Sequence, residues 1–478
     1  MATRLFATLI LCLGLLLGPA WANDTDSWGD VDAGLDEDPF AAADAVDTVS
    51  MERAPDSPFH FGGFLEITTE IGFNKEQDRL SSLRPLLHLE AEYRFNDKTR
   101  VKVSARGAHE AAYDLTDRPT PGDQGQDDAQ WEGELWDAFV DAELSPGIRL
   151  RAGRQTIAWG ESNYARILDF FTPRDMTRPG LMELEDARMP STALRLTAQT
   201  DLFTLEGVSL HEFPGDKISG LGADFDPFSA YRKPGITILD KTRPETDLAP
   251  QGFGVKLTKS FNAMDFALVG GRSYDPTPVL GLESVSPLGE LTLRPEFHKM
   301  SLAGLSASRA LGSLLLKMEG VYRWDRAVQR TDIAQQVAHY SALGQPPVTQ
   351  VKEYETKDQI EVLAGLEYTG ITDLVLLAEA QCLKTLDHES NLVLPRYQYR
   401  TYFQANYLMW HETLEWELFW AWLNPGQGHI LRFSGEYDFT DAFGVELGTA
   451  FYFAGDSDTA VHAYKDMDRV FCRLTYSF

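Results

Sequence analysis

The chain ends Val470-Phe471-Cys472-Arg473-Leu474-Thr475-Tyr476-Ser477-Phe478. Residues 470, 472, 474, 476 and 478 are apolar or aromatic, and residues 473, 475 and 477 are polar. This is a period of two. A strand has that period and a helix, at 3.6 residues per turn, does not.

The same alternation recurs upstream. Phe59, Phe61, Leu65, Ile67, Ile71 and Phe73 oppose His60, Glu66, Thr68 and Glu70. Leu87, Leu89, Ala91, Tyr93 and Phe95 oppose His88, Glu90, Glu92 and Arg94. Segments of this kind fall near 59–73, 86–95, 99–108, 134–144, 148–156, 192–199, 203–211, 252–260, 264–273, 298–309, 313–325, 358–369, 373–383, 395–408, 412–422, 429–438, 442–454 and 469–478. Every second connection is a short turn, such as Asn96-Asp97-Lys98 or Ser145-Pro146-Gly147. The others include the long stretches 109–133, 157–191, 212–251, 274–297 and 326–357. Short periplasmic turns alternating with long outer loops are the pattern of bacterial barrels. The expected fold is all-β, a transmembrane antiparallel β-barrel of about 18 strands, with about 16 as the fallback count. The ending resembles the terminal signal of such barrels, Tyr-x-Phe, and implies delivery by the barrel-assembly machinery through the last strand.

The amino-terminus fits this location. Arg4, an apolar run over residues 5–18 and Ala20-Trp21-Ala22 make residues 1–22 a secretory signal peptide. No later segment has the 18 or so consecutive apolar residues of a spanning helix. Cys382 and Cys472 are the mature cysteines, too few for a disulfide scaffold. The net charge is −29, and residues 23–58 hold eleven carboxylates against Arg53 alone. Such a segment cannot bury a core, so 23–58 reads as an acidic, disordered periplasmic leader. The barrel then spans 59–478, in the outer membrane of a Gram-negative cell, with both termini periplasmic. Outer-membrane lipid and lipopolysaccharide are the expected surroundings. The acidic balance excludes nucleic acid as a partner.

The polar face of the strands carries charges of both signs. Arg94, Arg106, Asp137, Asp141, Arg149, Arg151 and Arg195 are the candidate lumen wall. A barrel this wide leaves an aqueous lumen that something must narrow. Loop 157–191 is the candidate. It concentrates Glu161, Arg166, Asp169, Arg174, Asp175, Arg178, Glu185, Asp186 and Arg188, with prolines and glycines that favour turns. A segment folded into a charged lumen must meet charged walls, and mixed Arg and carboxylate side chains do so while setting the field a solute feels. Arg154 falls on the lipid face by alternation; a bulge turning it inward and lipopolysaccharide phosphates are both open.

Within this region Gly153-Arg154-Gln155, Trp159-Gly160-Glu161-Ser162 and Pro173-Arg174-Asp175 resemble a proteobacterial outer-membrane β-barrel family of unknown function. Some members of that family are associated with inner-membrane transporters of the resistance-nodulation-division type. The Gly-Arg-Gln element alone is similar to alginate-export barrels, and the place of the loop to that in general porins. The resemblance implies an outer-membrane conduit and no particular solute.

The expected function is passage of a solute through the lumen, narrowed by 157–191. The alternatives are a conduit serving an inner-membrane exporter, a non-conducting adhesion or structural barrel, and passage of a hydrophobic compound. Enzymatic function is not expected, since His109, His211, His339, His388 and His462 stand singly in loops. No cofactor or metal spacing is present; Asp224-Phe225-Asp226 and Asp456-Ser457-Asp458 lack the glycine and glutamate of a calcium loop.

Overall fold

The alternating segments become one sheet that closes on itself. The computed structural model describes residues 57–73, 79–116, 130–182, 187–220, 223–229, 234–239, 241, 244, 249–261, 264–423, 426, 428–453, 455 and 461–478. The signal peptide and acidic leader expected over 1–58 lie outside these residues up to 56. The strands of the first half are β1 (Phe59–Gly72), β2 (Arg79–Asn96), β3 (Thr99–His109), β4 (Trp131–Ser145), β5 (Ile148–Gln155), β6 (Ser191–Gln199), β7 (Thr204–Leu210), β8 (Ile236–Ile238), β9 (Gly252–Phe261) and β10 (Met264–Tyr274). There follow β11 (Val279–Val285), β12 (Leu291–Glu296), β13 (Lys299–Leu311), β14 (Leu314–Gln329), β15 (Tyr354–Ile371), β16 (Leu374–Thr385), β17 (Tyr397–Met409), β18 (Leu414–Leu423), β19 (His429–Thr440), β20 (Phe443–Phe453) and β21 (Arg469–Ser477). Eighteen of them form the barrel, and β8, β11 and β12 form a separate three-stranded sheet.

Each barrel strand pairs antiparallel with its neighbour in the chain, and closure comes from β1 on β21, where Phe64 faces Ser477 and Ile67 faces Leu474. The carboxy-terminal alternation is therefore the seam of the barrel. Polar residues such as Thr68, Glu70, Asp141, Arg151, Glu319, Glu361 and Arg432 are buried, while Phe59, Phe61, Leu268, Leu305, Met318 and Leu447 are exposed. This inverts the soluble pattern, as expected of strands that present apolar side chains to lipid and polar ones to a lumen.

All eighteen barrel strands lie where the alternation predicts. Several are longer: β2 begins at Arg79 and β15 at Tyr354. The long connections are not plain loops. The segment 274–297 holds the β11–β12 hairpin, with β8 parallel to β12, and 326–357 holds a helix, Ile333–Ala342. Ile238, Leu280, Leu282, Leu291, Leu293, Ile333, Val337 and Val351 give this cap its own apolar core.

Candidate functional site: a segment inside the barrel

The stretch between β5 and β6 has no regular secondary structure, yet Trp159, Ile167, Leu168, Phe170 and Phe171 within it are buried. Its partners lie around the whole ring. Trp159 meets Glu206 on β7, Ser162 meets Glu379 on β16, and Tyr164 meets Gln404 on β17. The carbonyl of Pro179 accepts a hydrogen bond from Tyr452 on β20 at 2.8 Å, and Arg178 lies 3.4 Å from Glu70 on β1. A single segment reaches strands on opposite sides of a closed barrel only from within.

An irregular segment has backbone N–H groups to satisfy, and inside a barrel the wall must do it. Here carboxylates do. The N–H groups of Trp159 and Gly160 donate to Asp169 Oδ1 at 2.5 and 2.7 Å. Those of Glu161 and Ser162 donate to Glu319 Oε1 on β14, the latter at 2.7 Å, and that of Asn163 to Glu379 Oε1 at 2.8 Å. Ser162 Oγ donates to Glu379 Oε2 at 2.7 Å and accepts from the N–H groups of Tyr164 and Ala165 at 3.2 and 2.8 Å. Hydrogen bonds to an ionised acceptor such as Asp169 are about twice as strong as neutral ones. A Cβ on Gly160 would lie 3.3 Å from Glu319 Oε1 and 3.4 Å from the Asp169 carboxyl, so the bare residue lets two carboxylates close on one turn. The Trp159 ring packs edge-on against Phe170 and Phe171, at 5.8 and 5.1 Å. The Trp-Gly-Glu-Ser block is thus the latch of the segment to the wall.

The neighbouring blocks have equally local reasons. Arg154 points out, and its guanidinium is bound to both oxygens of Glu212 at 2.7 Å and to the carbonyl of Leu135 at 2.6 Å. That pairing gives the outward guanidinium a protein partner at the rim. Gly153 takes φ +127°, and a Cβ there would lie 2.1 Å from the Ala138 carbonyl oxygen. Arg174 and Arg188 form an isolated antiparallel bridge, and Asp175 bridges in parallel to Lys217.

The expected charged residues are mostly paired. Arg166 forks onto Asp216 at 3.0 and 2.8 Å, and Arg188 lies 3.1 Å from Asp169. Arg174 donates to the carbonyls of Tyr164 and Ala165 at 2.8 and 3.2 Å. Arg178 also approaches Glu110 at 3.6 Å, and Asp175 approaches Lys217 at 3.6 Å. Glu161 engages the wall through its backbone N–H. Glu185 and Asp186 lie outside the described residues. Burial alone raises the Asp169 carboxyl, but Arg188, Arg174 and the N–H groups of Gly160 and Trp159 outweigh it and hold the group below its ordinary pKa. Burial and the neighbouring Arg166 bring Arg174 down to about 10, still charged at neutral pH.

Sequence reasoning missed a second inward segment. Residues 211–220 and 223–229, after β7, bring Asp216 to Arg166 and to the N–H of Arg174, and Lys217 to Glu132 and Glu134 on β4. Phe213 and Phe225 join the apolar cluster of Ile157, Trp159, Leu168, Phe170 and Phe171. Phe225 sits 4.4 Å under the Arg469 guanidinium. Lone aromatics in a polar stretch were the available signal, and they have no periodicity to expose them.

On the wall, Arg151 pairs with Asp141 at 2.8 Å, Arg149 approaches the same carboxylate at 3.7 Å, Arg195 pairs with Glu206 at 2.6 Å, and Arg94 with Glu92 at 2.6 Å. Arg106 lies 3.7 Å over the Trp136 ring, and Asp137 accepts from Ser104 Oγ at 3.3 Å. These residues sit on β2–β6, which carry Glu90, Glu92, Glu132 and Glu134 beside them. Across the ring, β15–β20 carry Glu361, Glu367, Glu379, Glu415, Glu417, Glu436 and Glu446 on the inward alternation. Glu415 faces Glu436, and Glu436 faces Glu446, directly across strand pairs. The wall is therefore mixed in charge on β2–β6 and carries an excess of carboxylates on β15–β20.

A family model described as "Protein of unknown function (DUF1302)" matches residues 3–478. No curated protein matches the chain. Among solved structures, OccAB3 of Acinetobacter baumannii is 10% identical with a TM-score of 0.48, over 88% of this chain and 99% of that one. The outer membrane channel DcaP of Acinetobacter baumannii is 9% identical with a TM-score of 0.41, over 88% and 97%. OmpT of Vibrio cholerae, in its trimer form, is 10% identical with a TM-score of 0.43, over 88% and 100%.

Proposed function

This chain belongs to the DUF1302 family of proteins of unknown function, and from that premise we propose that it is an outer-membrane channel whose lumen is narrowed by residues 157–190. The observation that carries this reading is the amide latch: the segment is bound to inward carboxylates of β14 and β16 rather than left as an outer loop. In this reading the long connections face the cell exterior of a Gram-negative bacterium and both termini face the periplasm. Solute moves by diffusion between the segment and the wall. Arg166, Asp169, Arg174, Asp175, Arg178 and Arg188, with Glu161, line or brace the constriction. Arg94, Arg106, Asp137, Asp141, Arg149, Arg151 and Arg195 form part of the lumen wall. A field across a low-dielectric lumen orients dipolar solutes and discriminates weakly between ions.

The test is current through the refolded full chain in planar bilayers under a salt gradient. The wild type conducts, and replacing Glu415, Glu436 and Glu446 together by Gln moves the reversal potential toward anions. The shift shrinks near 1 M salt, where the screening length is about 3 Å. A wild type that carries no current defeats the open-channel reading.

One observation favours a second reading. The apolar cluster joining the segment to the wall is continuous from Ile157 to Phe471, and such packing seals as well as narrows. A closed barrel opened by a partner, such as an inner-membrane exporter, is that reading. Its signature is current only after the segment is removed.

A further inference from the structure

Outward cations on the lipid-facing surface have no water or lumen to serve. Arg272 and Lys299 stand at the long-connection ends of β10 and β13, both exposed. In register, Tyr274 faces Lys299 and Arg272 faces Ser301, so the two cations are diagonal neighbours. Diagonal positions are about 7–8 Å apart, a gap one phosphate bridges. Lys299 lies 4.8 Å over the Tyr274 ring, and among the described residues neither cation is bound to a carboxylate.

Directly below them the wall is shallow. Gly270 faces Ala303, and a Cβ on Gly270 would meet nothing nearer than the Leu302 carbonyl oxygen at 3.8 Å. The trough is flanked on one side by Phe253 and Val255 of β9, which face Arg272 and Gly270. On the other side stand Trp324 and Tyr322 of β14, which face Ser301 and Ala303. Leu268 and Leu305, 59% and 52% exposed, continue the apolar floor. Two cations at the rim, a groove of small residues beneath and aromatic banks suit an amphiphile with an anionic head and acyl tails.

We propose that Arg272 and Lys299 bind a phosphate of an outer-leaflet glycolipid of the lipid A type, with an acyl chain lying along Gly270 and Ala303. The proposal rests on the outer-membrane placement above, and on charge complementarity at a rim where the headgroup layer is anionic. It asks nothing of the lumen.

The experiment is titration of the refolded full chain in detergent with bisphosphorylated lipid A, dephosphorylated lipid A and inorganic phosphate, with bound lipid counted by native mass spectrometry. The wild type should bind bisphosphorylated lipid A at least tenfold tighter than the dephosphorylated form. The Arg272→Gln/Lys299→Gln double substitution should lose that preference, and Arg309→Gln, at the opposite rim, should keep it. Gly270→Leu leaves both cations in place and fills the trough; it should weaken lipid A binding by a similar factor, which keeps the test alive if the double substitution fails to fold. Equal binding of both lipid A forms, or an unchanged double variant, overturns the proposal. So does inorganic phosphate displacing lipid A at equal concentration, since that marks a free-anion site. Bilayer current separates the two readings. Lipid binding without current defeats the channel and supports this surface, and current without lipid preference does the reverse.

Discussion

Asp169 shows how one side chain can organise a segment. It accepts from two consecutive backbone N–H groups and faces Arg188, all inside the barrel. Because its pKa is held below the ordinary carboxylate value of 3.8, its contribution to holding the segment is complete above that pH and is lost as pH falls through its own lower value. The difference in bilayer current between the wild type and Asp169→Asn should therefore hold from neutral pH down to about pH 5, and should vanish below about pH 4 as the wild type becomes noisy and larger in current. Asp169→Asn should show the acid behaviour already at neutral pH. Identical pH profiles for the two proteins would remove Asp169 from the latch. The charged residues of 157–191 stand out in the sequence as a set, yet their pairings do not, because Asp216 and Glu319 come from other parts of the chain. Nor does the sequence disclose that the amides, more than the charged heads, are what the wall carboxylates hold.

At the scale of elements, the strands were legible because each repeats a period of two and the connections alternate short and long. Their partners are sequence neighbours, so local pattern suffices. The inward segments obey no period; their order comes from contacts with strands far along the chain. Small wall residues make room for them. A Cβ on Gly271 of β10 would lie 2.5 Å from Phe170 Cζ, and one on Gly304 of β13 would lie 2.5 Å from Leu168 Cδ2. Gly271→Val should unseat the segment at a cost of about 1–3 kcal/mol of overpacking. Trypsin should then cleave after Arg166 or Arg188 in the folded variant and spare the wild type, while heat-modifiable mobility on gels shows the barrel intact. Equal resistance in both would mean that Phe170 does not anchor the segment. The β8–β11–β12 sheet and its helix were hidden for a related reason. Each strand is short, and β8 pairs in parallel with a strand more than fifty residues away.

The whole molecule is a barrel with two interiors: a charged wall and an apolar cluster built from the segments that fill it. The wall strands could be read from the sequence on one side, where Arg94, Arg106, Arg149, Arg151 and Arg195 gather. The acidic excess spreads over five strands, and only the closed ring sets it opposite. The decisive measurement is single-channel conductance of the refolded full chain beside a variant lacking 161–188. The account predicts discrete openings in the native protein and a several-fold larger step in the deletion, with the barrel still folded. Equal conductance in the two proteins, or none in either, would contradict it.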